Sequence, residues 1–188
     1  MSSHPNAYDL LKSIIHLSTS SIPIKAKLDQ ILQSVSEAFG SDQCLLLRRE
    51  KIVENGFLSR VASQKEPFWA DKESPFSGEG IHPKEKEFLR PTFACIPLYN
   101  KTTFQGMLYV GFSKKRSLSS QEIDLLVLIA KEMEETIRNA HLFQKVEQTS
   151  SELAALHEMG KVATSTLKLE ELLESIVKSG LKILKAKG

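Results

Sequence analysis

Apolar positions along the chain fall into stretches of two different periods. Residues 6–21 and 25–39 carry apolar side chains three and four apart and predict two helices. They are separated at Ile22-Pro23-Ile24, because proline lacks the donor and the geometry to continue a helix interior. In the second, Leu28, Ile31, Leu32, Val35 and Phe39 form one stripe, and Gly40 supplies a stop. Residues 43–49 are a short apolar run bounded by turn formers and predict a strand, with 51–54 placed to pair back before a turn at Asn55-Gly56. Residues 57–63 predict a short helix and 67–70 a brief strand. The irregular polar segment that follows, 71–90, is of the kind that often carries function.

Residues 92–99 and 104–112 are β-rich runs joined by Asn100-Lys101-Thr102-Thr103, which predicts a hairpin with a four-residue loop. Gly106 and Gly111 in its second arm mark a bulge or a close approach by another backbone. The period then changes to about three and a half. Ser119 and Glu122 form a capping box, and no Pro or Gly interrupts the chain from there to Gly160. Ile123, Leu126, Ala130, Met133, Ile137 and Ala140 fall three and four apart on this helix. The seam continues through Phe143, Val146, Ser150, Leu153 and Leu156 after successive steps of three, the signature of a stammer. Its first half must cover the sheet, so the part beyond Phe143 is the coiled-coil candidate, with Ile137, Ala140, Phe143, Val146, Leu153 and Leu156 as the dimer-facing residues.

The end of the chain repeats its beginning. Ile14, Leu17, Ser18, Thr19, Ser20 and Ser21 are answered by Met159, Val162, Ala163, Thr164, Ser165 and Thr166 at constant offset. Leu28 to Val35 are answered, after a short insertion, by Leu169 to Ile176. Fixed-spacing self-similarity is the mark of domain arrays. The expectation is a piece of a modular protein: a domain over 1–143, a coiled-coil linker over 144–158 and the start of a second, truncated domain over 159–188. The amphipathic helix at 169–186 is expected to find an improvised partner, docking on the long helix or exchanging between protomers.

Together these segments resemble the GAF domain of bacterial and eukaryotic signalling proteins over about Lys12 to Phe143. Gly56-Phe57-Leu58-Ser59-Arg60-Val61-Ala62 with Pro67 is similar to that family's mid-domain helix and following strand. Phe93-Ala94-Cys95-Ile96-Pro97-Leu98 and Gly106-Met107-Leu108-Tyr109-Val110 are similar to its central hairpin, and residues 119–139 to its closing helix. The stretch 156–183 resembles the opening helices of another such domain. The resemblance implies an α+β fold: an antiparallel sheet with helices on one face and a ligand pocket on the other. It further implies a bacterial multidomain signalling protein that senses a small ligand, dimerises and relays its state through the long helix, a histidine kinase being the favoured effector. The 50–56 region is short where many relatives have an extra strand, which reduces the pocket and leaves a ligand-free dimerisation platform as the alternative.

Ligand chemistry follows from what matches. Cyclic-nucleotide-binding members of the family often carry Asn-Lys, a Phe and then Asp-Glu. Ser113-Lys114, Leu118 and Gln121-Glu122 keep only the Lys and the Glu, so cyclic nucleotides are expected to bind weakly or not at all. Tetrapyrrole-binding relatives usually carry Cys-His, whereas Cys44 precedes Leu45 and Cys95 precedes Ile96. No cofactor is expected. Trp69, Phe76, His82, Phe88, Arg90 and Cys95 are the candidate ligand contacts, offering apolar bodies, a cation and a titratable ring.

Catalytic and metal chemistry find no support. Gly78-Glu79-Gly80 lacks a third glycine and reads as a turn, and His4, His16, His82, His141 and His157 have no convergent spacing. A redox enzyme using Cys95 is the remaining enzymatic alternative. The net charge of +2 comes from interspersed Lys and Glu, which gives no footprint for nucleic acid or an anionic membrane. The apolar run 123–130 is far short of the roughly 20 residues of a membrane helix, the N-terminus has no apolar signal region, and two isolated cysteines fit a reducing, cytoplasmic compartment. The partner expected is a second copy, as a parallel homodimer.

Overall fold

The computed structural model describes residues 7–71 and 81–185. The chain divides into two compact units, Met1–Ala140 and His141–Gly188. In the first, α1 (Ala7–Thr19) and α2 (Ile24–Phe39) precede β1 (Gln43–Arg48), α3 (Phe57–Gln64) and β2 (Phe68–Ala70). A short α4 (Pro83–Lys86), the hairpin β3 (Thr92–Asn100) and β4 (Thr103–Phe112), and α5 (Ser120–Lys185) follow. The four strands form one antiparallel sheet in the order β1-β4-β3-β2. This is the expected α+β arrangement.

α2 forms where the apolar stripe lies, burying Leu28, Ile31, Val35 and Phe39. It ends at Gly40, whose φ of 61° only glycine adopts without strain, and Ser41 N–H donates back to Ser36 O at 3.0 Å. Lys27 Nζ donates to Ser18 O at 2.9 Å and caps the last turn of α1. Ala94, Ile96 and Leu98 of β3, with Leu108, Val110 and Phe112 of β4, meet α1, α2 and the start of α5. Ile123, Leu126, Ile129, Ala130 and Met133 close this layer, the four larger side chains contributing about 1.5–3 kcal/mol each on burial. Thr136 Oγ1 donates to Glu132 O and meets Ser18 Oγ at 3.0 Å, tying α5 to α1.

The alternate strand residues face the other way. Phe93 and Cys95, Met107 and Tyr109, and Leu47 pack with Phe57, Leu58, Val61 and Ala62 of α3. The sheet is therefore buried on both faces.

Three local expectations are corrected. Residues 51–54 do not pair back; 49–51 form a 3₁₀ turn, and Asn55, at φ 60°, redirects the chain into α3. The hairpin loop is two residues long, since Asn100 pairs with Thr103, and a register shift at Leu98/Tyr99 absorbs the extra residue beside Gly106. The long helix passes through Gly160 and Ser165 without a break. The close backbone approach holds at Gly106, where a Cβ would lie 2.8 Å from Leu47 O, whereas at Gly111 it is a side chain that comes close, the Tyr109 hydroxyl at 2.7 Å.

The capping box forms as expected. Ser119 N–H and Oγ–H both donate to Glu122 Oε2 at 2.9 Å, and Glu122 N–H donates to Ser119 Oγ at 3.2 Å. Arg116 bonds the same carboxylate, donates to Phe39 O and lies over the Phe112 ring. Burial works to raise the Glu122 carboxyl, but Ser119 and Arg116 outweigh it and hold it below its ordinary 4.5. Asp42 is likewise held below its ordinary 3.8, chiefly by the Ser113 N–H. Both contribute stability at neutral pH that is lost as pH falls through their lowered values. Glu134, raised above 4.5 chiefly by burial, acts in the opposite sense, its contribution present in acid and lost as pH rises. Glu122→Gln should flatten the loss of stability on acidification below about pH 4, measured by urea melts across the range. An unchanged acid slope would contradict the depressed carboxyl.

Candidate functional site

The site expected on the sheet face opposite α1, α2 and α5 is occupied by the chain's own rings. Phe57 lies edge-on to Phe68 at 5.0 Å and to Phe93 at 6.0 Å between centroids. Phe93 stacks on Tyr109 at 6.0 Å, and Tyr109 meets Phe88 edge-on at 5.7 Å. Strand alternation produces this array, since Phe93 and Tyr109 are inward residues of neighbouring strands and Phe68 pairs across from Cys95. Each ring pair adds about 0.5–1.5 kcal/mol beyond area burial.

Residues 81–90 lie over the array. Tyr109 Oη accepts from Arg90 N–H at 2.9 Å and donates to Phe88 O at 3.2 Å, so one buried hydroxyl fixes the segment to the sheet. Burial pushes the Tyr109 phenol up, which keeps it a donor. Glu85 anchors the other end. Its carboxylate accepts from Phe57 N–H at 2.9 Å, Leu58 N–H at 3.1 Å and His82 N–H at 3.2 Å. Phe57 and Leu58 open α3, where unpaired N–H groups and the helix dipole favour a negative charge. His82 caps α4, its Nδ1 accepting from Lys84 N–H at 3.3 Å.

Gly56 is required by this closeness: a Cβ there would lie 2.5 Å from Glu85 Oε1. Gly56→Ala should destabilise the unit by about 1–3 kcal/mol, as overpacking against a buried group does. Urea unfolding measures it, and a neutral result would mean that Glu85 moves aside without cost.

Of the candidate contacts, Phe88 and Cys95 lie on the aromatic face. Trp69 does not. It pairs with Ala94, whose side chain faces the α-helical layer, and it is 40% exposed on the edge strand. His82 serves as a helix cap, and Phe76 lies outside the described residues, as do Gly78 and Gly80. Arg90 contributes its backbone; its side chain runs past Gly111, with Nε buried and unbonded. Sequence reasoning missed Glu85, the one carboxylate at the centre of the arrangement.

Cys44 and Cys95 stand on opposite sheet faces, on strands separated by β4, so they form no redox pair. Burial pushes the Cys44 thiol up to about 12, and burial with the Glu85 charge pushes the Cys95 thiol higher still. Both are poor nucleophiles in this conformation. Among the described residues no three His, Cys, Asp or Glu side chains converge to hold a metal ion, and no helix is long and apolar enough to cross a membrane. The open cleft on this side is a groove of about 770 Å³ between the 3₁₀ turn, α3 and the hairpin tip, lined by Arg49, Glu54, Lys65, Tyr99 and Phe104 among others.

No family model matches the sequence, and no curated protein matches it. Solved structures do. The GAF domain of an Acinetobacter phosphoenolpyruvate-protein phosphotransferase matches with a TM-score of 0.61 over 76% of this chain and 97% of its own, at 19% identity. The fold is that of a GAF domain. Free methionine-R-sulfoxide reductase from Neisseria meningitidis, solved with its substrate, shares it at 13% identity, with a TM-score of 0.58 over 72% of this chain and 90% of its own. So does the GAF domain of a protein assigned as a sensor histidine kinase in Pseudomonas syringae pv. tomato, at 20% identity, with a TM-score of 0.52 over 76% and 92%. At these identities the likeness is one of fold, so activity must be argued from this chain's own residues.

Proposed function

We propose that the chain is a cytoplasmic signalling module: a GAF-fold sensing unit that acts as a parallel homodimer and passes its state through α5 to an effector. The observation that carries this is the apolar surface of the second unit. Phe143, Val146, Leu153, Leu156, Met159, Val162, Leu169, Leu173 and Ile176 are all exposed, by 53% or more. A stable helix does not leave such a stripe to water, and a patch of this size marks an interface. Phe143, Val146, Ser150 and Leu153 are spaced three, four and three. Met159, Val162, Thr166, Leu169, Leu173 and Ile176 resume that alternation after steps of three through Leu156. A heptad seam is complementary to a second copy of itself, which names the occupant. Residues 169–176 of the stretch expected to dock as a separate helix thus belong to the same exposed seam. The division into a first domain, a linker and the start of a second domain remains our reading of the internal repeat.

A histidine kinase is the effector we favour, supported by one of the similar structures coming from a protein assigned to that class. A ligand could act on such a module only by binding two arrangements with different affinity. The packed aromatic face favours a second reading, a dimerisation platform with no ligand, in which Phe88 and Glu85 fill the place permanently. The fold shared with a methionine sulfoxide reductase leaves an enzyme as a third reading, opposed by the buried thiols. Light scattering on the 21.1 kDa chain at micromolar concentration tests the proposal. Twice the monomer mass supports it; a strict monomer removes it.

A further inference from the structure

The segment over the aromatic face brings two chemically distinct groups to it. Glu85, 1% exposed, places a carboxylate on three backbone N–H groups, two of them from the N-terminus of α3, 27 and 28 residues away in sequence. Phe88 places a ring edge-on to Tyr109. Only Lys86 and Glu87, at the end of the four-residue helix that carries Glu85, separate the two in the chain. Nothing in the folding of the sheet itself requires a carboxylate there, because a Ser, Thr or Asp side chain at the N-cap would satisfy α3 locally. That N-cap is instead Gly56, with no side chain of its own, leaving room that the distant carboxylate fills. An anion and an aromatic ring, joined by a short spacer and seated on donors and rings, have the form of a bound small molecule.

We propose that residues 82–88 are an autoinhibitory strap that occupies the sensing face as a built-in ligand. The Glu85 carboxylate stands where the carboxylate of an aromatic or apolar small-molecule acid binds when the strap lifts. The acid would take the Phe57 and Leu58 N–H groups with its carboxylate and the Phe88 position against Tyr109 with its apolar body. This rests on the reading of the face as the sensing side. Strap opening is an event within one protomer, so it can fail with the dimer intact, and a monomeric mass would leave it standing.

The two cysteines make the test internal. Cys95 lies under the strap and Cys44 on the opposite face of the sheet. Thiol labelling of each is followed by mass spectrometry in the wild-type chain and in Glu85→Ala. The expected result is labelling of Cys95 at least about tenfold faster in the variant, as local opening allows, with Cys44 little changed. Millimolar phenylacetate should slow Cys95 labelling in Glu85→Ala, whereas the neutral phenylacetamide should not. Equal acceleration of the two thiols would make Glu85 a purely structural cap and overturn the proposal. Selective acceleration that phenylacetate leaves unchanged, or that phenylacetamide suppresses equally, would overturn it as well. Should Glu85→Ala not fold, Glu85→Gln keeps the shape and an acceptor while removing the charge, and the same selective acceleration at smaller size is expected.

Discussion

Phe93→Ala is expected to destabilise the first unit by about 3–5 kcal/mol, a large fraction of the roughly 5–15 kcal/mol that stabilises a domain. Phe93 is 1% exposed and holds the middle of the ring array, within 6.0 Å of Phe57, Phe68 and Tyr109. Removing it costs the transfer of a large ring, the cavity left behind and three ring contacts. Neighbouring rings cannot simply collapse inward, since Tyr109 is fixed by its bonds to Arg90 and Phe88. Urea unfolding should show the shift in midpoint at an unchanged slope. Trp69→Ala, on the exposed edge, is the internal comparison and should stay within about 1 kcal/mol. A loss below about 1 kcal/mol at Phe93 would mean that the face is loosely filled, contrary to its packing.

Leu153→Lys is expected to weaken the dimer by at least about 100-fold, because two ammonium groups would face each other across an apolar seam. A hundredfold corresponds to about 2.8 kcal/mol, within what one unpaired buried charge costs. The first unit should melt as before, since Leu153 lies outside it and is 61% exposed in the single chain. Sedimentation across a concentration series separates the two effects. Loss of the first unit's folding in the variant would place Leu153 in a role other than dimerisation.

What sequence made visible and what it hid follow from the range of the interactions. α2, the hairpin and the Ser119 capping box are local: an apolar stripe with a glycine stop, two β-branched and aromatic runs, and two residues three apart that satisfy each other's backbone. The side of the sheet that each residue faces was also open to parity. Phe68 and Ala70 share a face that Trp69 cannot, so Trp69 belonged with the helical layer from the start. Glu85 was hidden because its partners are distant in the chain, and no spacing rule links a polar loop to the N-terminus of an earlier helix. The hairpin loop was read too long because Asn100 and Thr103, polar residues of the kind that form turns, pair with each other as the last rung of the ladder. The long helix runs on through Gly160 and Ser165, since Ser and Thr cost a helix only a few tenths of a kcal/mol and a single glycine about 1.

A single cysteine placed in the seam tests the proposed parallel dimer along α5 most directly. Leu153→Cys should form a disulfide-linked dimer under mild oxidation, because a parallel, in-register coiled coil brings the same seam residue of both copies face to face. Gln148→Cys, on the outer side of the helix, should not. The native thiols lie in the first unit and burial raises both above their ordinary 9.0, so they should add little background. Efficient cross-linking at 153 and none at 148 is the result expected; no cross-link at 153, or equal cross-linking at both positions, would contradict the parallel dimer.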